Sequence, residues 1–249
     1  MTKTSNIRLV LGITITAVVC VFSVPPIAQD PDYHNFADRR AFLGIPNFCD
    51  VLSNLPLLIV GTMGLLFLKA RWDDEFIPPA EKWPWLVLFG ALVLASLGSA
   101  YYHWEPDNSR LVWDRLFIAL ALMTLFSIII AERIRYIPCL FPALALAGAV
   151  SVFYWGYTER QGMGDLRPYA LAQFLPMLMI PLICALFPAP GTWRLAYALG
   201  WYVLAKIFEY FDRGIFEQLG VSGHTLKHLA AGVGAYVLLD YLKHRGIPH

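Results

Sequence analysis

Two histidines, His224 and His228, stand four residues apart at the start of an apolar run that continues to Leu242. On an α-helix that spacing stacks both imidazoles on one face. Neutral imidazole is the commonest protein ligand for a zinc-like ion, and an i, i+4 pair can grip one ion from a single helix. Taken alone, the pair reads equally well as two polar side chains marking the edge of a membrane. Thr225 follows the first histidine, where a zincin helix of the H-E-x-x-H type has its glutamate, so a proton acceptor has to come from elsewhere.

Other residues are suited to complete such a site. Ser99 and His103 are again four apart, in the stretch Gly98-Ser99-Ala100-Tyr101-Tyr102-His103. Asp114 opens the next apolar run. It reads either as the carboxylate proton acceptor or as an acid favoured by the dipole at a helix N-terminus. Ser99 reads either as an oxyanion donor or ligand to a water, or as a small helix-packing residue. Lys206, Glu209 and Asp212 recur at spacings of three and form an ion-paired face or line a polar cavity. His34, in a polar segment, and His244 and His249, in a basic tail, are weaker candidates.

The elements that must position these residues are membrane helices. Of 249 residues, 58% are hydrophobic and 15% charged, with a mean hydropathy of +0.56; a soluble domain carries about one quarter charged residues. The net charge of +1 gives no basic face for nucleic acid. Four scattered cysteines without a C-x-x-C pair read as small core residues. Apolar runs fall at 9–24, 48–68, 84–103, 111–131, 137–156, 168–187, 193–211 and 224–242. Most are near the ~20 residues that cross hydrocarbon as a helix. The predicted fold is therefore all-α: a polytopic seven-helix transmembrane bundle in residues 31–249, preceded by one extra N-terminal transmembrane helix within residues 1–30. That first run, with Lys3 and Arg8 before it, also fits a signal peptide, but its cleavage site is poor and a retained signal anchor is the preferred reading. Pro84, Pro138 and Pro168 sit at run starts, and Pro56, Pro176 and Pro181 are expected to bend their helices. Trp83, Trp85, Trp104, Trp113 and Trp193 mark interfaces.

Loop lysines and arginines favour the side holding both termini, ten against six, which places the termini in the cytoplasm. The same helix count puts His103, Asp114, His224 and His228 at one depth in the outer leaflet. Three neutral histidines plus one open position is the pattern of a catalytic zinc, which lowers the pKa of a bound water to about 7 and polarises a carbonyl.

The order Ser99, His103, Asp114, His224, His228, together with Ser53-Asn54 and Phe211-Asp212-Arg213-Gly214-Ile215-Phe216, resembles the alkaline ceramidase family over about residues 32 to 243. That family belongs to a wider group of seven-helix membrane hydrolases that includes the progestin and adipoQ receptors. The resemblance implies a zinc amidase that cleaves the N-acyl bond of ceramide. It implies His103, His224 and His228 as zinc ligands and Ser99 and Asp114 as the catalytic pair. It also implies a calcium site before the first core helix, for which this chain offers Asp32, Asn35, Asp38 and Asn47. Asn47 stands where the family has an acid, and the acid spacing differs, so these residues equally suit a solvated loop.

The leading functional reading is a multi-pass amidase acting on ceramide or a related N-acyl lipid, such as an acyl homoserine or N-acyl amino acid, in a bacterial plasma membrane. The rival is a zinc-containing seven-helix receptor with little turnover. Asp114 and Ser99 favour the enzyme, because a structural ion needs neither. A transporter would show paired broken helices in two symmetric halves, and the sequence does not.

Overall fold

The computed structural model describes residues 2–73 and 77–245. Ten α-helices appear in it: α1 (Lys3–Ser23), α2 (Phe48–Leu52), α3 (Leu55–Ala70), α4 (Pro79–Trp104), α5 (Asn108–Arg133), α6 (Leu140–Arg160), α7 (Arg167–Leu186), α8 (Thr192–Tyr210), α9 (Asp212–Leu219) and α10 (Gly223–His244). No β-strand occurs among the described residues; a single bridge joins Phe42 to Ile45. The chain is a multi-pass helical membrane protein. Six spans are long and apolar enough to cross a bilayer: α1, α2 with α3, α4, α5, α6 and α7.

The last two long helices fall outside that group because of their charges. At 19 and 22 residues, α8 and α10 measure roughly 28 and 33 Å, enough for a ~30 Å hydrocarbon core. Their hydropathy is lowered by residues that find partners. Lys206 and Lys227 both bind Glu209, at 2.7 and 2.9 Å, and Arg194 binds Asp240 at 2.6 Å. Ionisable groups at membrane depth are tolerated when paired or turned to a cavity. The two helices pack along one another.

Neighbouring helices pack in sequence, α3 on α4, α4 on α5 and α5 on α6, while α10 returns to lie against α3. The extra helix α1 rests on α7, where Asn6 donates to the Leu186 carbonyl at 3.0 Å. The segment after it is tied down by bonds from Arg167 to the Val24 carbonyl, from the Leu166 amide to the Ile27 carbonyl, and from the Gln29 amide to Glu159. An irregular strap then runs through the 3₁₀ turn Pro31–His34 to Asn47. It reverses at Leu43 and Gly44, both in the left-handed region.

Several local expectations change. Pro56 begins α3 instead of bending a longer helix. The chain breaks at Ser53 and Asn54, whose side chains both donate to the Asp50 carbonyl, a local bond that competes with continuous helix. Because α4 starts at Pro79, Pro84 lies inside it. Trp85 is fully buried and packs against Phe89 and Tyr241, so it belongs to the core and not the interface. Of the cysteines only Cys184 is buried; Cys20 and Cys139 face outward. His249 lies outside the described residues.

The contact between α4 and α5 that brings Ser99 to Asp114 depends on Gly98. A Cβ there would lie 2.6 Å from the Trp113 carbonyl oxygen, closer than real Cβ atoms approach. Gly90 on the same helix faces open space. Gly98→Ala should therefore destabilise the protein by about 1–3 kcal/mol, the usual cost of overpacking, and lower the midpoint of thermal unfolding in detergent. Gly90→Ala should not lower it; equal midpoints for the two variants would contradict this packing.

Candidate metal centre

His103 comes from the last turn of α4, and His224 and His228 from the first turns of α10. All three are buried. Each offers a ring nitrogen, and these atoms lie within 4.8 Å of one another. The cluster is the one group of three or more histidine, cysteine or acidic side chains among the described residues that could hold a metal ion. The Nε2 atoms of His103 and His224 face each other at 3.1 Å. Two nitrogens bound to one tetrahedral zinc at ~2.0–2.1 Å lie about 3.3 Å apart, so this spacing fits a shared ion.

His228 is oriented from behind. Its Nδ1 lies 2.7 Å from Ser53 Oγ, and Ser53 Oγ donates to the Asp50 carbonyl at 3.1 Å. The serine's one proton is thereby spent, so Nδ1 is assigned as the protonated nitrogen and Nε2 keeps its lone pair. A hydrogen bond to the distal ring nitrogen commonly fixes the tautomer of a metal-binding histidine. Nδ1 of His103 is buried without a hydrogen-bond partner. Phe36 covers the cluster, its ring centroid 4.7 Å from that of His103 and 4.4 Å from that of His224.

Two acids hold the start of α10, Asp50 fully buried and Asp212 half-buried. Asp50 Oδ1 accepts from Ser222 Oγ at 2.9 Å and Thr225 Oγ1 at 2.7 Å, while Ser222 caps the helix by accepting from the Thr225 amide. Asp212 accepts from the His224 amide at 2.8 Å through Oδ1, and from the Ala37 amide at 2.9 Å through Oδ2. One carboxylate thus joins the strap to the metal-ligand helix. Asp212 had two readings in the sequence, and a backbone clamp beside the site is the arrangement found. Asp50 is the further functional acid here, and its signal in the sequence is a carboxylate in an otherwise apolar run.

Ser99 and Asp114 are both buried, and they face the same cavity from α4 and α5. With His228 they line a cavity of about 400 Å³. Its polar end also includes Tyr33, Gln173, Tyr202, Lys206, Glu209 and Lys227. The remainder is apolar and reaches Leu125, Leu195 and Leu238. From His228 to Leu238 is ten residues of α10, about 15 Å, or half of a ~30 Å hydrocarbon core. Desolvation pushes the Tyr33 phenol up to about 12, so it remains an O–H donor at neutral pH.

The four residues suggested for calcium have separate surroundings. Asp32 sits on the exposed 3₁₀ turn, and Asn35 accepts from Arg39. Asp38 is buried and makes two bonds to the Arg40 guanidinium, at 2.8 and 2.7 Å, which hold its carboxyl below the usual range. Asn47, at positive φ, donates to the His103 carbonyl at 2.8 Å and so pins the end of α4. His34 bonds Tyr102 and Asn108; His244 pairs with Asp240.

No family model and no curated protein matches the chain. The structure itself brings His103, His224 and His228 together and places Ser99 and Asp114 on the adjoining cavity.

His224→Ala should abolish stoichiometric zinc in the purified protein, measured by elemental analysis. Ser53→Ala should keep the ligand set but weaken zinc affinity by about 10–100-fold, as loss of such an orienting bond does. Wild-type zinc affinity in Ser53→Ala would contradict the orienting role.

Proposed function

We propose that the protein is an intramembrane zinc-dependent amidase that hydrolyses the N-acyl bond of ceramide or a related N-acyl lipid to a fatty acid and an amine. The observation carrying this reading is the juxtaposition of a buried tri-histidine cluster, a Ser99–Asp114 pair and a cavity that is polar at one end and apolar beyond. The residue order shared with the alkaline ceramidases supports the same assignment.

His103, His224 and His228 would hold a zinc ion, which when bound would supply a Lewis acid and lower the pKa of water at the site to about 7. Asp114 takes up the proton that the attacking water loses and returns it to the amine nitrogen as the C–N bond breaks. Ser99, on the same cavity wall as Asp114, would orient the Asp114 carboxylate through its hydroxyl. The apolar cavity holds the acyl chain, and Phe36 keeps bulk water from the histidines, which strengthens every electrostatic contact inside. The excess of loop lysine and arginine on the terminal side supports a site near the outer leaflet with both termini in the cytoplasm, as in a bacterial plasma membrane.

Asp114→Asn should retain zinc and lose at least about 10²-fold in fatty-acid release from an N-palmitoyl lipid, the lower range of a general acid–base contribution. Release at the wild-type rate would remove Asp114 from the chemistry. Stoichiometric zinc in the wild-type protein with no release from any N-acyl lipid would favour the receptor reading.

A further inference from the structure

Five charged side chains line the cavity: Asp114, Arg115, Lys206, Glu209 and Lys227. Three are cationic and two anionic, so the side chains that line the cavity carry one positive charge in excess before any metal is counted; Asp50 and Asp212 stand behind the lining, where they accept from Ser222, Thr225 and backbone amides. Lys206 and Lys227 share a single carboxylate, Glu209, at 2.7 and 2.9 Å. Each ammonium carries three donors, and Glu209 accepts one from each. Both lysines are largely withdrawn from solvent, with 35% and 18% of their side chains exposed.

Arg115 adds a third cation. It is 5% exposed and held between aromatic rings, its Cζ lying 4.3 Å from the Trp155 centroid, 4.9 Å from Tyr169 and 5.2 Å from Tyr33. Nη2 donates to Gln29 Oε1 at 2.6 Å. Nη1 is buried with no hydrogen-bond partner. Excess charge in a poorly hydrated site is costly unless an opposite charge is supplied. Ceramide, which is neutral, supplies none.

Resting on the amidase reading of the same site, we infer that the substrate is an N-acyl lipid whose amine portion carries an anionic group, a carboxylate or a phosphate. The acyl chain occupies the apolar depth beyond Ser99 and Asp114. The anion lies at the polar end against Lys206 and Lys227, with Arg115 stabilising it through the field of the pocket. For an N-acyl amino acid, water adds its oxygen to the acyl carbon, the C–N bond breaks, and the proton goes to the amino nitrogen. A fatty acid and a free amino acid result.

The test uses the full-length purified protein and three palmitoyl amides: N-palmitoylglycine, N-palmitoylethanolamine and N-palmitoylsphingosine. An N-palmitoyl phosphoethanolamine distinguishes phosphate from carboxylate. Fatty-acid release is measured with zinc, and displacement of a fluorescent fatty-acyl probe is measured on the metal-free protein. The anionic amides should exceed the neutral ones by about tenfold or more in kcat/KM and in binding, the size of a charge-assisted hydrogen bond. Lys206→Gln should shrink that ratio in both assays, and Lys227→Gln provides an independent second variant.

Hydrolysis of the neutral amides as fast as the anionic ones, with equal binding, would overturn the anionic assignment and leave the amidase reading standing. No hydrolysis of any amide, with tenfold tighter binding of the anionic lipids, would overturn the amidase reading and leave the anion subsite standing. No hydrolysis and equal binding would overturn both.

Discussion

The hydrogen bond between Ser53 and His228 is 2.7 Å long and buried, and it decides which imidazole nitrogen faces the centre of the cluster. A metal ligand must present a lone pair, so the opposite ring nitrogen must carry the proton and have somewhere to put it. Ser53 can serve because α2 ends there, and α2 ends there because Ser53 and Asn54 bond back to the Asp50 carbonyl. Asp50 in turn receives Ser222 and Thr225 from the start of α10. One short, interrupted helix therefore sets both the tautomer of His228 and the position of the helix that bears it.

The same economy appears on the other side of the cluster. Asp212 binds the His224 amide and the strap amide of Ala37, and the strap brings Phe36 over two of the rings. Asn47 then ties the end of the strap to the carbonyl of His103. Two strap side chains satisfy carbonyls at helix ends, Asn47 that of His103 and Arg40 that of Gly220, groups that would otherwise be left unpaired near the membrane.

Much of the architecture was legible in the sequence, because hydrophobic run length reports membrane helices directly. The helix count then placed His103, Asp114, His224 and His228 at one depth, and the structure brings the three histidines within ligand distance and puts Asp114 on the adjoining cavity. What stayed illegible depends on contacts between distant segments. Asp50 and Thr225 are 175 residues apart, and no spacing within either segment announces their bond. Trp85 looked interfacial because it stands near the start of an apolar run, yet it faces inward against Phe89 and Tyr241. The charges on α8 and α10 make those helices less apolar than their neighbours, and the partners of those charges are visible only in three dimensions.

X-ray absorption at the zinc edge of the purified full-length protein tests the central claim most directly, because it counts the ligands of the ion. The account predicts a four-coordinate ion with three imidazole nitrogens and one further oxygen, all at about 2.0–2.1 Å. A shell containing sulfur, a six-coordinate oxygen shell, or fewer than three imidazoles would contradict it.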